Sequence, residues 1–559
     1  MEVESVESNA LPGAADRRTS KTNRRVFWAC VFILASNCFQ YTAFFAVSTN
    51  LVNYLKDRLH EGSKAAANGV TNWLGTSSIT PLAAAFLADA FLGRYRTIAL
   101  FLLISVLAYV VLAVSAAAAA LESSAAAFYA GLYLLALGGA LQPVLTAFGA
   151  GQFDDSGEEG RRRQSSFFNW FYLSINVGSL VGGTVLVWVQ SSVSWGLGYA
   201  IPALLSVVTV AVFMAGTPTY QRHQPPGGSP LTRVAQVLVA AVGKCGVEAP
   251  ADAAELHECD ADDGMSAIQG SRRLAHTDQF RFLDKAAVET AADKARPSPW
   301  RLCTVTQVEE LKCVIRLLPV WASGIIFAAA YTQMTTTFIL QGDTLDPYVA
   351  GFRVPAAVLS VFDTISVMLW VPLYDRLLVP LARRATGHDR GFTQLARMGV
   401  GLVVLAVAML AAGALEVERR RVIARHGMYD TNTGAGGDGA YLPLSIFWQV
   451  PQYAVVGASE VFTFIGQMEF FYDQAPDAMR SVCSGLSMTS FALGSYVSSA
   501  LVTVVARATA RGGRDGWIPD DINRGHLDNF FWLLAGMCMG NFAVYLLIAR
   551  WYTYKKTVD

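Results

Sequence analysis

The sequence predicts an all-α membrane protein of twelve transmembrane helices, arranged as two six-helix bundles joined by a long cytoplasmic connector. Three observations carry that expectation. Of 559 residues, 53% are hydrophobic and only 15% charged, against about 25% charged in an average soluble domain. Apolar runs recur along the chain at the length of about twenty residues that a helix needs to cross hydrocarbon. They come as six runs, a polar stretch, and six more, the layout of paired bundles that rock around a midplane site. A formal net charge of zero gives no compositional case for a nucleic-acid partner. The partners implied are a lipid bilayer and a small-molecule solute.

Residues 1–25 are polar and read as a disordered cytoplasmic tail. Arg17, Arg18, Lys21, Arg24 and Arg25 favour an inside N-terminus, and the stretch does not resemble a cleavable signal peptide. The first apolar run, Val26 to Leu55, has no formal charge, yet Asn37, Gln40, Tyr41, Phe44 and Ser48 recur on one helical face. Lipid cannot satisfy such a polar stripe, so it must face protein or a watery cavity. Five more spans follow: Gly69 to Leu92, Thr97 to Leu121, Ala125 to Phe153, Ser165 to Val189 and Trp195 to Met214. These complete an N-terminal bundle over 26–216, with Arg161–Arg163 as a basic loop before the fifth span.

Residues 217–306 form the connector, with amphipathic helical patterns at Leu231 to Val242 and around Phe280 to Val288. The C-terminal bundle over 307–552 has spans at Val308 to Leu340, Val354 to Leu381, Leu395 to Leu415, Leu442 to Tyr472, Ser481 to Ala506 and Phe530 to Tyr552. A cytoplasmic tail, 553–559, ends the chain. With both termini inside, Arg94, Arg96, Arg161–Arg163, Arg383, Arg384, Arg390 and Arg480 are cytoplasmic. Arg419–Arg421, Arg425, Arg511 and Arg514 then lie outside, against the usual bias, and the charges before the first span decide the orientation. The membrane is a plasma or a vacuolar one. Cysteines such as Cys30, Cys38, Cys313, Cys483 and Cys538 fall in or beside apolar spans and read as packed small groups, not metal ligands.

Ionisable groups within spans are costly and so mark function. Asp89, Gly93 and Arg94 stand at a tight turn and suit a charge-pinned hinge between helices, or a loop anchor of similar conformational role. Asp363 reads as a structural partner. Glu460 lies deep in its span, on one face with Gln449, Tyr453 and Gln467, and could hold a proton or an organic cation. Tyr331 with Thr335, and Asn176, add polar groups, although a membrane asparagine often only bonds a neighbouring helix. No phosphate-cradling loop, zinc-type spacing or nucleophile–base pair is present, so no enzyme, cofactor or metal is expected.

Several stretches resemble one family. AAFLADAFLGRYRTI (Ala84 to Ile98) is similar to the first signature of the proton-dependent oligopeptide transporters, and FYLSINVGSL (Phe171 to Leu180) to the second. STNLVNYL (Ser48 to Leu55), GQFDD (Gly151 to Asp155), SPLTRVAQVLVAA (Ser229 to Ala241), FRFLDKAAV (Phe280 to Val288), GFTQLARMG (Gly391 to Gly399) and GQMEFFYDQAP (Gly466 to Pro476) resemble the plant nitrate/peptide branch. The resemblance is nearest to the di- and tripeptide carriers. It implies a major facilitator fold and alternating-access transport.

The departures from that family concern charge. Its Glu-x-x-Glu-Arg motif on the first helix corresponds to Asn37, Gln40 and Tyr41, and a family lysine on the fourth helix to Gln142. Paired tyrosines become Phe44 and Phe45, and the acid before Gln152 becomes Gly151. In relatives the lost cations face a peptide carboxylate or an anion, while the residues matching Glu460 and Asn176 face a peptide's amino end. Acids and bases lost together leave no stranded charge, as losing one alone would. The substrate pocket expected here is therefore Asn37, Gln40, Tyr41, Phe44, Gln142, Asn176, Tyr331 and Glu460, taking neutral or amine-bearing solutes. Glu460 is the proton-carrier candidate, with coupling otherwise weakened or lost. The alternatives are a conventional proton-coupled peptide or nitrate symporter using Glu460, and a membrane sensor that binds without transporting.

Overall fold

In the computed structural model, described residues are 12–60, 63–117, 124–153, 157–221, 229–250, 252, 255–258, 268, 271–296, 298–349, 352–354, 356–387, 391–429, 441–510, 516–519 and 522–557. Residues 1–11 and 558–559 of the expected tails, Leu121 at the end of the third span, and Arg390, Arg511 and Arg514 lie outside them.

Among the described residues, eleven helices are long and apolar enough to cross a membrane. Six precede the connector: α1 (Arg24–Ser48), α2 (Trp73–Leu92), α3 (Arg94–Ala117), α4 (Ala125–Ala150), α5 (Glu158–Gln190) and α6 (Trp195–Ala215). The connector carries α7 (Pro230–Gly243). The later membrane helices are α8 (Val305–Gly342), α9 (Ser360–Arg384) and α10 (Gln394–His426). Then come α11 (Val450–Gln474), α12 (Asp477–Thr509) and α13 (Leu527–Trp551). Helix α11 is as long as the others but is not one of the eleven, because Glu460, Glu469, Asp473 and three glutamines lower its hydropathy. Nearly every residue from Val456 to Tyr472 is buried. The helix is wrapped by protein, so lipid never imposes an apolar surface on it.

Local chemistry sets the element ends. Thr304 and Gln307 form a reciprocal capping box at the start of α8. Thr393 accepts from the Ala396 amide to begin α10, which ends at Gly427 with φ 65°. Gly93, at φ 76°, makes the turn between α2 and α3, a conformation other L residues avoid.

Three expectations need correction. The tail taken as disordered through residue 25 is helical from Pro12; no breaker follows Gly13, so the membrane helix simply extends backwards. Arg161–Arg163 is not a loop but part of the first turns of α5, whose start carries Glu158 and Glu159, favourable beside the helix N-terminus. Around Phe280 the chain forms a 3₁₀ turn, Arg281–Ala287, instead of an amphipathic α-helix.

Each half packs on itself. Helix α1 lies against α5 and α6, and α3 against α4 and α6; later, α10 lies against α11 and α13, and α8 against α12. The halves meet where α2 and α4 touch α12 and α5 touches α9 and α11. Small residues permit the closest approaches: a Cβ on Gly178 of α5 would stand 2.6 Å from the Cys38 carbonyl of α1, and one on Gly138 2.6 Å from the Ser105 amide of α3.

The connector has its own small apolar core of Val237, Ala240, Leu283, Ala286 and Val308. Lys244 pairs with Asp293 at 2.9 Å, and Arg233 with Glu310 at 3.0 Å. Against the upward push of burial, Thr290 and Lys244 hold the Asp293 carboxyl down to about 2. The face of the bundle bearing this connector is called the linker face below.

Candidate functional site

Where the first half meets α12 is a chamber of two adjoining lobes, of about 600 and 300 Å³, that share part of their lining. Both are bordered by Tyr41, Ser77, Pro81, Gln142 and Phe491. The larger lobe follows α1 from Ser36 to Thr49, away from the linker face. None of the described residues lining either lobe carries a formal charge.

The polar stripe of α1 forms its wall. Asn37 donates to Ser174 Oγ at 2.8 Å, tying α1 to α5. Gln40 donates from Nε2 to Ser105 Oγ at 3.4 Å, and its buried Oε1 has no partner. The Tyr41 hydroxyl donates to Gln142 Oε1, so the two positions where the family resemblance implies cations bond one another. Phe44 stacks on Trp73 with centroids 5.5 Å apart. Ser77, also on the wall, has an unpartnered buried hydroxyl. Two polar atoms of the chamber thus await a partner, at a cost of about 1–3 kcal/mol each while unsatisfied.

Three other expected pocket residues stand apart from these lobes. Asn176 donates to the Tyr172 carbonyl one turn back at 3.0 Å. Tyr331 packs against Phe327, Phe464 and Phe491. Glu460 is 2% exposed, and its Oε2 accepts from the Tyr172 hydroxyl at 2.7 Å, across the boundary between the halves. The expected polar face of α11 is divided as well. Gln449 donates to the Phe338 carbonyl and Tyr453 to the Met334 carbonyl, both on α8, while Gln467 bonds Ser490 and borders the smaller lobe.

Asp89, Gly93 and Arg94 form a latch more than a free hinge. Asp89 Oδ2 accepts from the Val482 amide at 3.0 Å, and Arg94 donates to Ser481 Oγ at 3.1 Å, both on α12. Arg94 Nε is also 3.5 Å from Asp89. Beside this latch, Arg272 of the connector grips Asp477 through both carboxylate oxygens. Arg480 adds a contact at 2.8 Å, and Lys555 beyond α13 one at 3.8 Å.

Sequence reasoning missed a second layer of the closure. Ser166 and Asn169 of α5 donate to Asp375 of α9 at 2.8 and 3.1 Å. Arg397 of α10, 2% exposed, reaches Asn169 Oδ1 and the Val461 carbonyl, each at 2.8 Å, and lies over the Tyr374 ring. A charge inside an apolar span was the available signal, since Arg397 stands in the motif GFTQLARMG. These contacts run from the linker face up to Tyr172 and Glu460, so the linker face is closed in this structure.

Among the described residues, one acid–histidine group, where the connector meets the start of α8, has metal-ligand spacing: His276, Asp284 and Glu309. Lys312 already pairs with Asp284 at 2.7 Å and Glu309 at 2.8 Å, and Arg316 with Glu309 at 3.2 Å. Two cations occupy the charge a metal would need, and the group reads as an ion-pair network.

Residues 95–518 match the model of the POT family. The chain belongs to that family. It is 52% identical to the Arabidopsis thaliana protein NRT1/ PTR FAMILY 8.1 over 548 residues, covering 95% of this chain and 94% of the relative. With the Arabidopsis NRT1/ PTR FAMILY 8.3 protein it shares 49% identity, covering 94% and 92%. Among solved structures, the in meso crystal structure of the POT family transporter PepTSo superposes with a TM-score of 0.60 at 22% identity, covering 94% of this chain and 98% of that one. An auto-inhibited POT family peptide transporter gives 0.58 at 23%, covering 95% and 98%. This POT family member is therefore an integral, multi-pass membrane transporter of the major facilitator type, and not an enzyme.

Proposed function

We propose that the protein moves small nitrogen-containing organic solutes (peptide-like, amine-bearing or neutral) through the central chamber by alternating access, with proton coupling weakened relative to its family. The observation that carries this is the uncharged chamber wall: Asn37, Gln40, Tyr41 and Gln142 line it at the positions where relatives place two acids and two bases. Without a fixed cation, an anion or a free peptide carboxylate would be desolvated there with nothing to pair it. The uncharged amide and hydroxyl groups of Asn37, Gln40, Tyr41 and Gln142 instead suit a solute recognised by hydrogen bonds. The closed linker face supports rocking as the working motion, with that face cytoplasmic.

The test is radiotracer uptake into oocytes, with membrane current recorded, over a panel of amines, amides, dipeptides and nitrate at acid and neutral pH. Uptake of neutral or amine-bearing solutes with little acid stimulation is expected. A large inward current with nitrate or dipeptide at acid pH would overturn the reading. Binding without uptake of any solute would instead make the protein a sensor.

A further inference from the structure

Glu460 does not stand alone. Asp363 of α9 faces it, and the two carboxyl groups interact directly. Both side chains are more than nine-tenths buried, at 5% and 2% exposure. Gly457 brings the helices together here: a Cβ on it would be 2.6 Å from the Asp363 carbonyl, and Ser366 Oγ donates to the Ala454 carbonyl at 2.6 Å. Each acid has one buried oxygen without a hydrogen-bond partner, Asp363 Oδ1 and Glu460 Oε1.

Among the described residues, the other titratable groups that interact with the pair are tyrosines: Tyr172 from α5 and Tyr331 from α8, both hydrogen-bonded to Glu460, and Tyr453 from α11, whose hydroxyl donates to the Met334 carbonyl. Among the described residues no Lys, Arg or His interacts with either carboxyl. Arg397, a buried cation nearby, donates from Nη2 to Asn169 and the Val461 carbonyl, with Glu469 3.5 Å from Nη1, and its Nε has no partner. Two buried carboxylates in contact, without a cation, cannot both remain ionised at reasonable cost. One unpartnered acceptor oxygen on each of two interacting acids is what a single shared proton would satisfy.

We propose that Asp363 and Glu460 together form a proton-binding site, holding one proton between Asp363 Oδ1 and Glu460 Oε1. The proton comes from water and returns to water, and no other bond changes. Glu460 Oε2 meanwhile accepts from Tyr172, which belongs to the opposite half. Docking of the halves and occupancy of the site therefore bias one another, by reciprocal linkage. The pair supplies the residual proton site of a transporter whose chamber wall has none. This consequence rests on the transport reading; the site itself does not.

Infrared difference spectroscopy of the purified, reconstituted protein at neutral pH tests it without any solute. Wild type minus Asp363→Asn and wild type minus Glu460→Gln should each show the loss of one protonated-carboxyl band, at the same frequency, shifted in heavy water. Each amide replaces the shared proton with its own N–H donor, which is why either change should empty the site. No lost band, or two bands at different frequencies, overturns the proposal. If one variant fails to fold, Tyr172→Phe serves, since removing the donor on Oε2 should shift the band; an unmoved band counts against a shared site. Failure here would leave uptake untouched, and absence of uptake would leave the spectrum standing.

Discussion

Gln142 and Tyr41 show how much depends on single side chains. Each fills a position where the family resemblance implies a cation, and here they bond each other on the chamber wall. Gln142→Lys alone would set an unpaired ammonium in that wall, costing about 3–5 kcal/mol. A lowered melting temperature in detergent is expected. Adding Asn37→Glu, Gln40→Glu and Tyr41→Arg should recover most of the loss and bring back acid-stimulated uptake. If the single variant melts like wild type, the wall is not desolvated. The polar stripe of α1 was legible because helical periodicity alone puts those residues on one face. Glu460 was legible as a charge in a span. Tyr172, its partner, was not, because 288 residues separate the two and nothing local marks the hydroxyl. Asp363 was visible as an acid, but its contact with Glu460 depends on how α9 meets α11.

Helices pack here by backbone approach at small residues, and this makes specific glycines intolerant. Gly178→Val should destabilise the α1–α5 contact by at least about 1–3 kcal/mol, the range for overpacking a close interface. Gly536→Ala on α13, where a Cβ meets nothing within 4 Å, should be neutral. Thermal melts of the two variants, measured side by side, check the contrast; equal shifts would refute it. At this scale most apolar spans could be read directly, since hydropathy over about twenty residues is a strong signal. The exception, α11, is instructive: an element enclosed by protein need not be apolar. The connector was legible only as polar and partly amphipathic. Its 3₁₀ turn at Arg281–Ala287 follows a left-handed Phe280, a tertiary constraint that no periodicity announces.

For the whole molecule, closure at the linker face joins elements far apart in the chain. The α2–α3 turn, the connector and the segment after α13 converge on the start of α12, where Leu274 also forms a β-bridge with Thr557. Arg94→Ala with Arg272→Ala should shift the population toward a linker-face-open form. Pulsed spin-label distances between α2 and α12 at that face should lengthen; an unchanged distribution would mean the latch does not hold the halves together. The two-bundle layout could be read from the order of apolar runs, but the latch could not, since its partners become neighbours only after folding. The charge-free wall of the chamber also has an electrical consequence. Moving one elementary charge through the membrane field is worth about 2.3 kcal/mol per 100 mV. A wall that carries none adds no such work as it turns from one face to the other, so resting voltage acts on the empty carrier only through charges elsewhere in the spans, the Asp363–Glu460 pair among them.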